Sequence, residues 1–287
     1  MFRILVPVDL TEGTNKACEF ALAFGQHFAN TQLVLLHCYQ DYLDETASGK
    51  AFTDETSASE LVTDNVLHRN QQETEEKLDK LYHTVRKVNR NLQVERVLMY
   101  GMPEDCIQEE VQRFKPDLMV MLTKGESNIA RTFFGTVSTS IIQHVEVPVL
   151  TVPATYEGAT INRILYATDF DKADTTALNT LQQLVQPFGA AIECVHVTDD
   201  PDTEDHEKLE KLRQKLQQHA AANITYTLLD GEDVAQALQK FVSEQAIDLV
   251  ALTTHSRTLL GSLLNPSLAK RMVLESQVPL LILHANS

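Results

Sequence analysis

"RILVPVDLTEGTNKACEFAL" at residues 3–22 and "RILYATDFDKADTTALNTLQ" at residues 163–182 are two versions of one segment. Each opens Arg-Ile-Leu, reaches an Asp and then enters a run whose apolar residues fall at helical spacing. Asp9 aligns with Asp169, an offset of 160. "LVLLHCY" (33–39) matches "AIECVHVT" (191–198), pairing His37 with His196 at an offset of 159. "VLMYGMPEDCI" (97–107) matches "TLLDGEDVAQA" (227–237), pairing Gly101 with Gly231 at 130. "KPDLMVMLTKG" (115–125) matches "AIDLVALTTHS" (246–256), and "EVPVLTVP" (146–153) matches "QVPLLILH" (277–284). Asp117 with Asp248 and Pro148 with Pro279 both stand at 131. A unit repeated once along most of the chain predicts two tandem domains. The length of 287 residues agrees, at roughly 150 residues per domain. The boundary falls in "PATYEGATIN" (153–162), near 155, which gives domains over 1–154 and 160–287.

The offset drops by 29 between His37 and Gly101, so the first copy carries extra residues there. The polar stretch 41–65, "DYLDETASGKAFTDETSASELVTDN", is expected to be that insert, a loop or lid. Ser57 reads as part of a solvated loop before it reads as a modification site.

Each copy alternates strand and helix. ILVPVD, LVLLHC, VERVLMYG, DLMVML and VPVLTV are short apolar runs of strand length. Between them, Ala17, Phe20, Ala21, Phe24 and Phe28 share one helical face, as do Leu78, Leu81, Val85 and Val88. Pro103 opens a third helix with Ile107 and Val111 on one side, and "GTVSTSIIQHVE" (135–146) reads as a fourth. Alternating βα units predict an α/β fold: two doubly wound domains, each a five-stranded parallel sheet covered by helices on both faces. The fifth strands, VPVLTV and VPLLIL, are apolar edges that invite pairing. An internal pseudo-dimer of the two halves is therefore expected, with a homodimer of chains as a further step.

Composition narrows the function. The net charge is −16, a surface that repels phosphate backbones and argues against nucleic-acid binding. One nucleotide held by backbone N–H groups is still compatible with it. Cys18, Cys38, Cys106 and Cys194 form no C-x-x-C pair and read as free thiols in a reducing cytosol. The N-terminus lacks a signal-like apolar region, and no apolar stretch approaches the ~18 residues that span a membrane. A cytoplasmic protein without membrane contact is expected. Metal-ligand spacing, G-x-S-x-G and the Walker pattern G-x-x-x-x-G-K-[ST] are absent, and no designed catalytic centre is visible.

In open α/β sheets ligands bind beyond the carboxyl ends of the strands. There "TKGESNIARTFFGT" (123–136) follows the fourth strand, with Gly125 and Gly135 ten positions apart and Thr136 opening a helix. A helix start with glycines offers donors and close approach to phosphate. The Thr136 and Ser138 hydroxyls add donors, and Lys124 and Arg131 read as solvated charges before phosphate ligands. ILVPVDLTE (4–12), LLHC (35–38), the segment after strand four, GTVSTSII (135–142) and VPVLTV (147–152) resemble the universal stress protein family, and the resemblance covers both halves.

That resemblance implies Rossmann-like domains of the adenine nucleotide alpha hydrolase-like kind. It also implies, for the nucleotide-binding branch, a loop G-x-x-G-x9-G-[ST] that holds ATP or AMP in a regulatory binder. Carried across, it places Pro7, Val8, Asp9, Cys38 and Met121 at the adenosine and Gly125, Gly135, Thr136 and Val137 at the phosphates, with Mg²⁺ if the ligand is ATP. Leu122 stands where the pattern has its first glycine. In the second half the site is degenerate: Asp169 remains, while Thr253, Ser256, Pro266 and Ser267 replace Leu122, Gly125, Gly135 and Thr136. Pro266 has no N–H to donate. Asp169 reads as a turn former and helix cap. Three classes stay open: a regulatory nucleotide binder with one site in the first half, a stress-associated scaffold acting through protein partners, and an adenylyl- or phosphoryl-transfer enzyme. The third needs a placed base that the sequence does not show. Slow incidental ATP hydrolysis would not define a function.

Overall fold

In the computed structural model the described residues are 1–11, 13–40, 56–89, 92–123, 141–142, 144–158, 160–199, 203–217, 224–254 and 276–284, with the backbone alone described over 56–70. The first half runs β1 (Phe2–Pro7), α1 (Thr14–Gly25), β2 (Thr31–Tyr39), α2 (Thr56–Val88), β3 (Gln93–Tyr100), α3 (Pro103–Phe114), β4 (Leu118–Thr123) and β5 (Val149–Pro153). The second runs β6 (Arg163–Ala167), α4 (Asp174–Val185), β7 (Ala191–Thr198), α5 (Thr203–Gln217), β8 (Ile224–Asp230), α6 (Val234–Glu244), β9 (Leu249–Thr254) and β10 (Leu280–His284).

The strands form one ten-stranded sheet in the order β3-β2-β1-β4-β5-β10-β9-β6-β7-β8. Every neighbour is parallel except β5 and β10, which run antiparallel. At that seam Leu150 faces Leu281, flanked by Thr151 with Leu280 and Val149 with Ile282. Leu150 and Leu281 are equivalent residues of the two copies, so a pseudo-two-fold axis passes through this pair. The expected internal pairing of the halves takes this form.

The halves share their cores as well as their sheet. Ile4, Val6, Leu33, Leu118, Leu150, Ile164, Leu249 and Leu281 point to one face, under α1, α2, α4 and α5. Leu5, Val34, Met119, Val149, Leu165, Val250 and Ile282 point to the other, under α3, α6 and Ile141–Ile142. Across the halves the Phe188 ring packs tilted against Phe24, centroids 4.7 Å apart, and lies edge-on 6.5 Å from Phe28, its own counterpart at offset 160. Asp117 and Asp248 serve one purpose twice. The first accepts a bond from the Arg3 N–H at 2.7 Å, and the second from the Arg163 N–H at 2.9 Å.

Two expectations differ from the fold. The stretch 41–65 reads as a loop from its polarity, yet α2 begins at Thr56; residues 41–55 lie outside the described ones. From Thr56 to Val88 no Gly or Pro interrupts the chain, which permits a helix that composition alone disguises. Val88 does not join Leu78, Leu81 and Val85 in the core: it is 68% exposed, because α2 ends there beyond the edge of the sheet. Of the helix expected over 135–146, residues 141, 142 and 144 are helical, 145 and 146 are not, and the rest lie outside the described residues.

His284 ends β10 with both ring nitrogens buried and, among the described residues, without a hydrogen-bond partner. Burial pushes its pKa down to about 4, against about 6.5 in an unfolded chain. The unfolded state therefore binds the proton first, and stability present above pH 6.5 drains as pH falls toward 4. His284→Phe should flatten that slope, by up to about 3 kcal/mol between the two limits, in urea unfolding measured across pH 4–7.

Candidate functional site

In the first half the connections from the two central strands leave on opposite faces. From β1 the chain crosses to α1 on one side; from β4 it reaches Ile141–Ile142 on the other. Such a switch point opens a crevice at the carboxyl ends of β1 and β4, and the equivalent strands of the second half are β6 and β9. Pro7 ends β1, half-buried, and Val8 behind it packs on the α1 side. Met121 and the half-buried Cys38 lie on the α3 side. The structure thus gathers Pro7, Val8, Asp9, Cys38 and Met121 around one end of the sheet. Gly125, Gly135, Thr136 and Val137, together with Lys124, Arg131, Ser256, Pro266 and Ser267, lie outside the described residues.

The turn that follows β1 is held from three directions. Leu10 takes a left-handed conformation, φ +57°. The Asp9 Oδ1 accepts from the Thr11 N–H at 3.1 Å, the Thr11 hydroxyl at 2.6 Å and the Thr14 hydroxyl at 2.8 Å. From β2, His37 Nδ1 lies 2.7 Å from the Val8 carbonyl. A carbonyl only accepts, so Nδ1 carries the proton. Burial holds the His37 pKa down, which keeps the ring neutral in that role.

The second half repeats this turn: Phe170 has φ +59°, and His196 Nδ1 lies 2.8 Å from the Thr168 carbonyl. The shared histidines therefore tether the turn to the neighbouring strand. Asp169 sits half-buried in that turn, where Thr168 Oγ1 accepts from the Phe170 N–H and Asp171 Oδ1 from the Ala173 N–H.

Below the turn the halves part company. In the first, Leu122 lies against the start of α1, and a Cβ placed on Gly13 would stand 2.5 Å from its Cδ2. The bulky side chain is directed onto α1, and the glycine makes room for it. In the second half the equivalents are Thr253 and Ala173: the small residue has moved from the helix to the strand. Val6, Val8 and Thr14 are replaced by Tyr166, Thr168 and Asp174, which form a buried chain of bonds with Thr253. Tyr166 OH donates to Asp174 Oδ1 at 2.7 Å and lies 2.6 Å from Thr253 Oγ1; Thr168 Oγ1 donates to Asp174 Oδ2 at 2.5 Å. Asp174 is fully buried. Burial raises its pKa against the pull of those two donors. Sequence reasoning singled out Thr253 but missed Tyr166, Thr168 and Asp174. Their signal was available as three apolar-to-polar or small-to-charged changes at offset 160.

Among the described residues no three His, Cys, Asp or Glu side chains gather to hold a metal, and no helix is long and apolar enough to cross a membrane.

Comparison with known proteins follows the same two halves. The family model described as the universal stress protein family matches residues 1–153 and again 160–284. A universal stress protein of Synechocystis sp. is 27% identical over 152 residues, 52% of this chain and 96% of that protein. A universal stress protein A-like protein of Arabidopsis thaliana is 40% identical over 52 residues, 18% of this chain and 30% of its own length. The crystal structure of a universal stress protein from Archaeoglobus fulgidus superposes with a TM-score of 0.72 at 16% identity, covering 99% of this chain and 98% of that one. That last likeness concerns the fold.

Gly13→Ala and Leu122→Thr should be coupled, because together they reproduce Ala173 and Thr253. Gly13→Ala should be more favourable by about 1 kcal/mol in the Leu122→Thr background than in the wild type, read from a double-mutant cycle of urea unfolding. Tyr166→Phe strips the bridging hydroxyl from two buried oxygens and should cost about 1–3 kcal/mol by the same measurement.

Proposed function

The chain belongs to the universal stress protein family, and on that premise we propose that it is a stress-response regulatory protein whose first half binds one adenine nucleotide without turning it over. The ligand is ATP with Mg²⁺, or AMP. The observation that carries this reading is the contrast between the two crevices. In the first half Pro7, Val8, Met121 and Cys38 stand at the carboxyl ends of β1, β4 and β2, and these small or apolar groups support a place for the face of a base. Leu122, the departure from the family's loop pattern, is directed onto Gly13 and forms the α1 wall of the crevice. In the second half the corresponding wall is bridged by Tyr166, Asp174 and Thr253, and the loop that follows has no glycine at the pattern's positions.

Asp9 supports this reading through the turn. Its Oδ1 is engaged by Thr11 and Thr14, so its contribution is to set the backbone at the crevice mouth. Gly125, Gly135, Thr136 and Val137 are the residues proposed to meet the phosphates through backbone donors and a hydroxyl. Such a cradle needs no net positive charge, which suits a chain of net charge −16. Mg²⁺ when bound would neutralise phosphate charge beside this acidic surface. The sequence shows no base placed for hydrolysis beside this donor set, which is why regulation is proposed and not catalysis.

Calorimetric titration of the purified chain with ATP and Mg²⁺, and separately with AMP, tests the proposal. Micromolar binding at about one per chain is expected, lost in Gly135→Pro, which removes a donor and the glycine's freedom. Absence of heat up to millimolar nucleotide would overturn it in favour of a scaffold that works through protein partners.

A further inference from the structure

Cys38, at the end of β2, and Cys106, in the first turns of α3, are neighbours across the β2–α3 corner, close enough for each thiol to act on the other. Gly101 leaves the space for this meeting: a Cβ there would stand 3.1 Å from Cys106 Sγ, and its φ of +145° suits glycine. The second half packs the same corner without sulfur. Beneath Gly231 lie Val197 and Ala237, at 3.5 and 2.9 Å from the corresponding point. Val197 is the counterpart of Cys38 at offset 159, and Ala237 that of Cys106 at offset 131. The fold at this corner therefore requires small apolar groups and not thiols. Cys18 and Cys194 are buried under the opposite face, one in each half. Cys38 alone among the four is half-exposed, with Cys106 buried behind it.

We propose that Cys38 and Cys106 are a modification site: a thiol pair that closes to an intramolecular disulfide under peroxide. The Cys38 sulfur, having given up its proton, attacks one peroxide oxygen; the O–O bond breaks, leaving a sulfenic acid on Cys38 and a hydroxide that takes up the lost proton as water. The Cys106 sulfur then attacks the sulfenic sulfur. The S–S bond forms, the S–O bond breaks, and hydroxide leaves with the Cys106 proton as a second water. Two thiols lose two electrons, and one peroxide is reduced to two waters. Burial comes first in keeping both sulfurs protonated; the neighbouring Cys106 and then Glu104 and Glu110 add to it at Cys38, while at Cys106 the contact with Cys38 pulls the other way and Glu109 and Asp105 push back. Closure is accordingly slow at neutral pH and responds to sustained oxidant more than to a brief pulse.

The full chain, incubated with hydrogen peroxide at neutral and at mildly alkaline pH, provides the test. Thiols counted after denaturation should fall from four to two per chain, and dithiothreitol should restore them. Peptide mapping should find the Cys38 and Cys106 fragments joined and two mass units lighter than their sum. The rate should rise about tenfold per pH unit, following the thiolate fraction. A double variant, Cys38→Val with Cys106→Ala, copies the packing beneath Gly231; it should keep the wild-type circular dichroism spectrum and retain both remaining thiols. Four thiols surviving prolonged alkaline peroxide would overturn the proposal. So would sulfinic acid without a bridge, bonds that join separate chains, or a rate indifferent to pH.

Discussion

The tight turn after the first strand of each half is the constraint from which the site follows. A left-handed residue, Leu10 or Phe170, reverses the backbone at the end of the strand. A neighbouring histidine fixes the carbonyl two residues earlier. Non-glycine residues adopt this conformation at a cost, and it persists where the surroundings over-determine it. Here they do so by hydrogen bonds from the side and by the helix that starts directly beyond. Moving the turn would move the start of that helix, one wall of the crevice and the first residues of the site together.

Once the turn is fixed, the wall beneath it can be finished in two ways, and the chain contains both. Leucine on the strand with glycine on the helix makes an apolar wall. Threonine on the strand, with tyrosine and aspartate nearby, makes a polar one whose members satisfy one another. The second solution buries a carboxyl group that costs free energy unless its donors stay in place. It ties strand β6, strand β9 and helix α4 by side-chain bonds, where the first half uses packing. The two copies differ here in their chemistry while keeping the backbone of the turn.

The repeat, the strands and the order of elements were legible in the residues because each rests on a local period. Ile4, Val6, Leu33, Leu35, Leu118 and Val120 lie in one core, as alternating positions of β1, β2 and β4. Leu5, Val34, Leu36, Met119 and Met121 fill the other, which is why those strands read as continuous apolar runs. What escaped was non-local or masked by polarity. Thr56 to Asn65 carry the serines, threonines and acids of a loop but none of its breakers. Tyr166 and Thr253 meet across 87 residues, a contact that follows only from the registers of β6 and β9. That Gly13 yields to Leu122 is visible only when β4 and α1 are side by side. The phosphate end of the candidate site rests on Gly125, Gly135 and Thr136 as sequence.

The antiparallel seam between β5 and β10 also sets the valence of the chain. A parallel five-stranded domain that ends in an apolar strand has one sticky edge, and a separate copy of itself would satisfy it. Here that edge is spent internally, Leu150 on Leu281, so joining two domains in one polypeptide has turned a question of concentration into one of covalent connectivity. The free edges that remain are β3 and β8, at the far ends of the sheet. β3 carries Glu95 and Arg96, each half tied into an ion pair, which blunts further strand addition. At β3 a second chain would have to meet this one through side chains, by an interface different in kind from the one that joins its own halves.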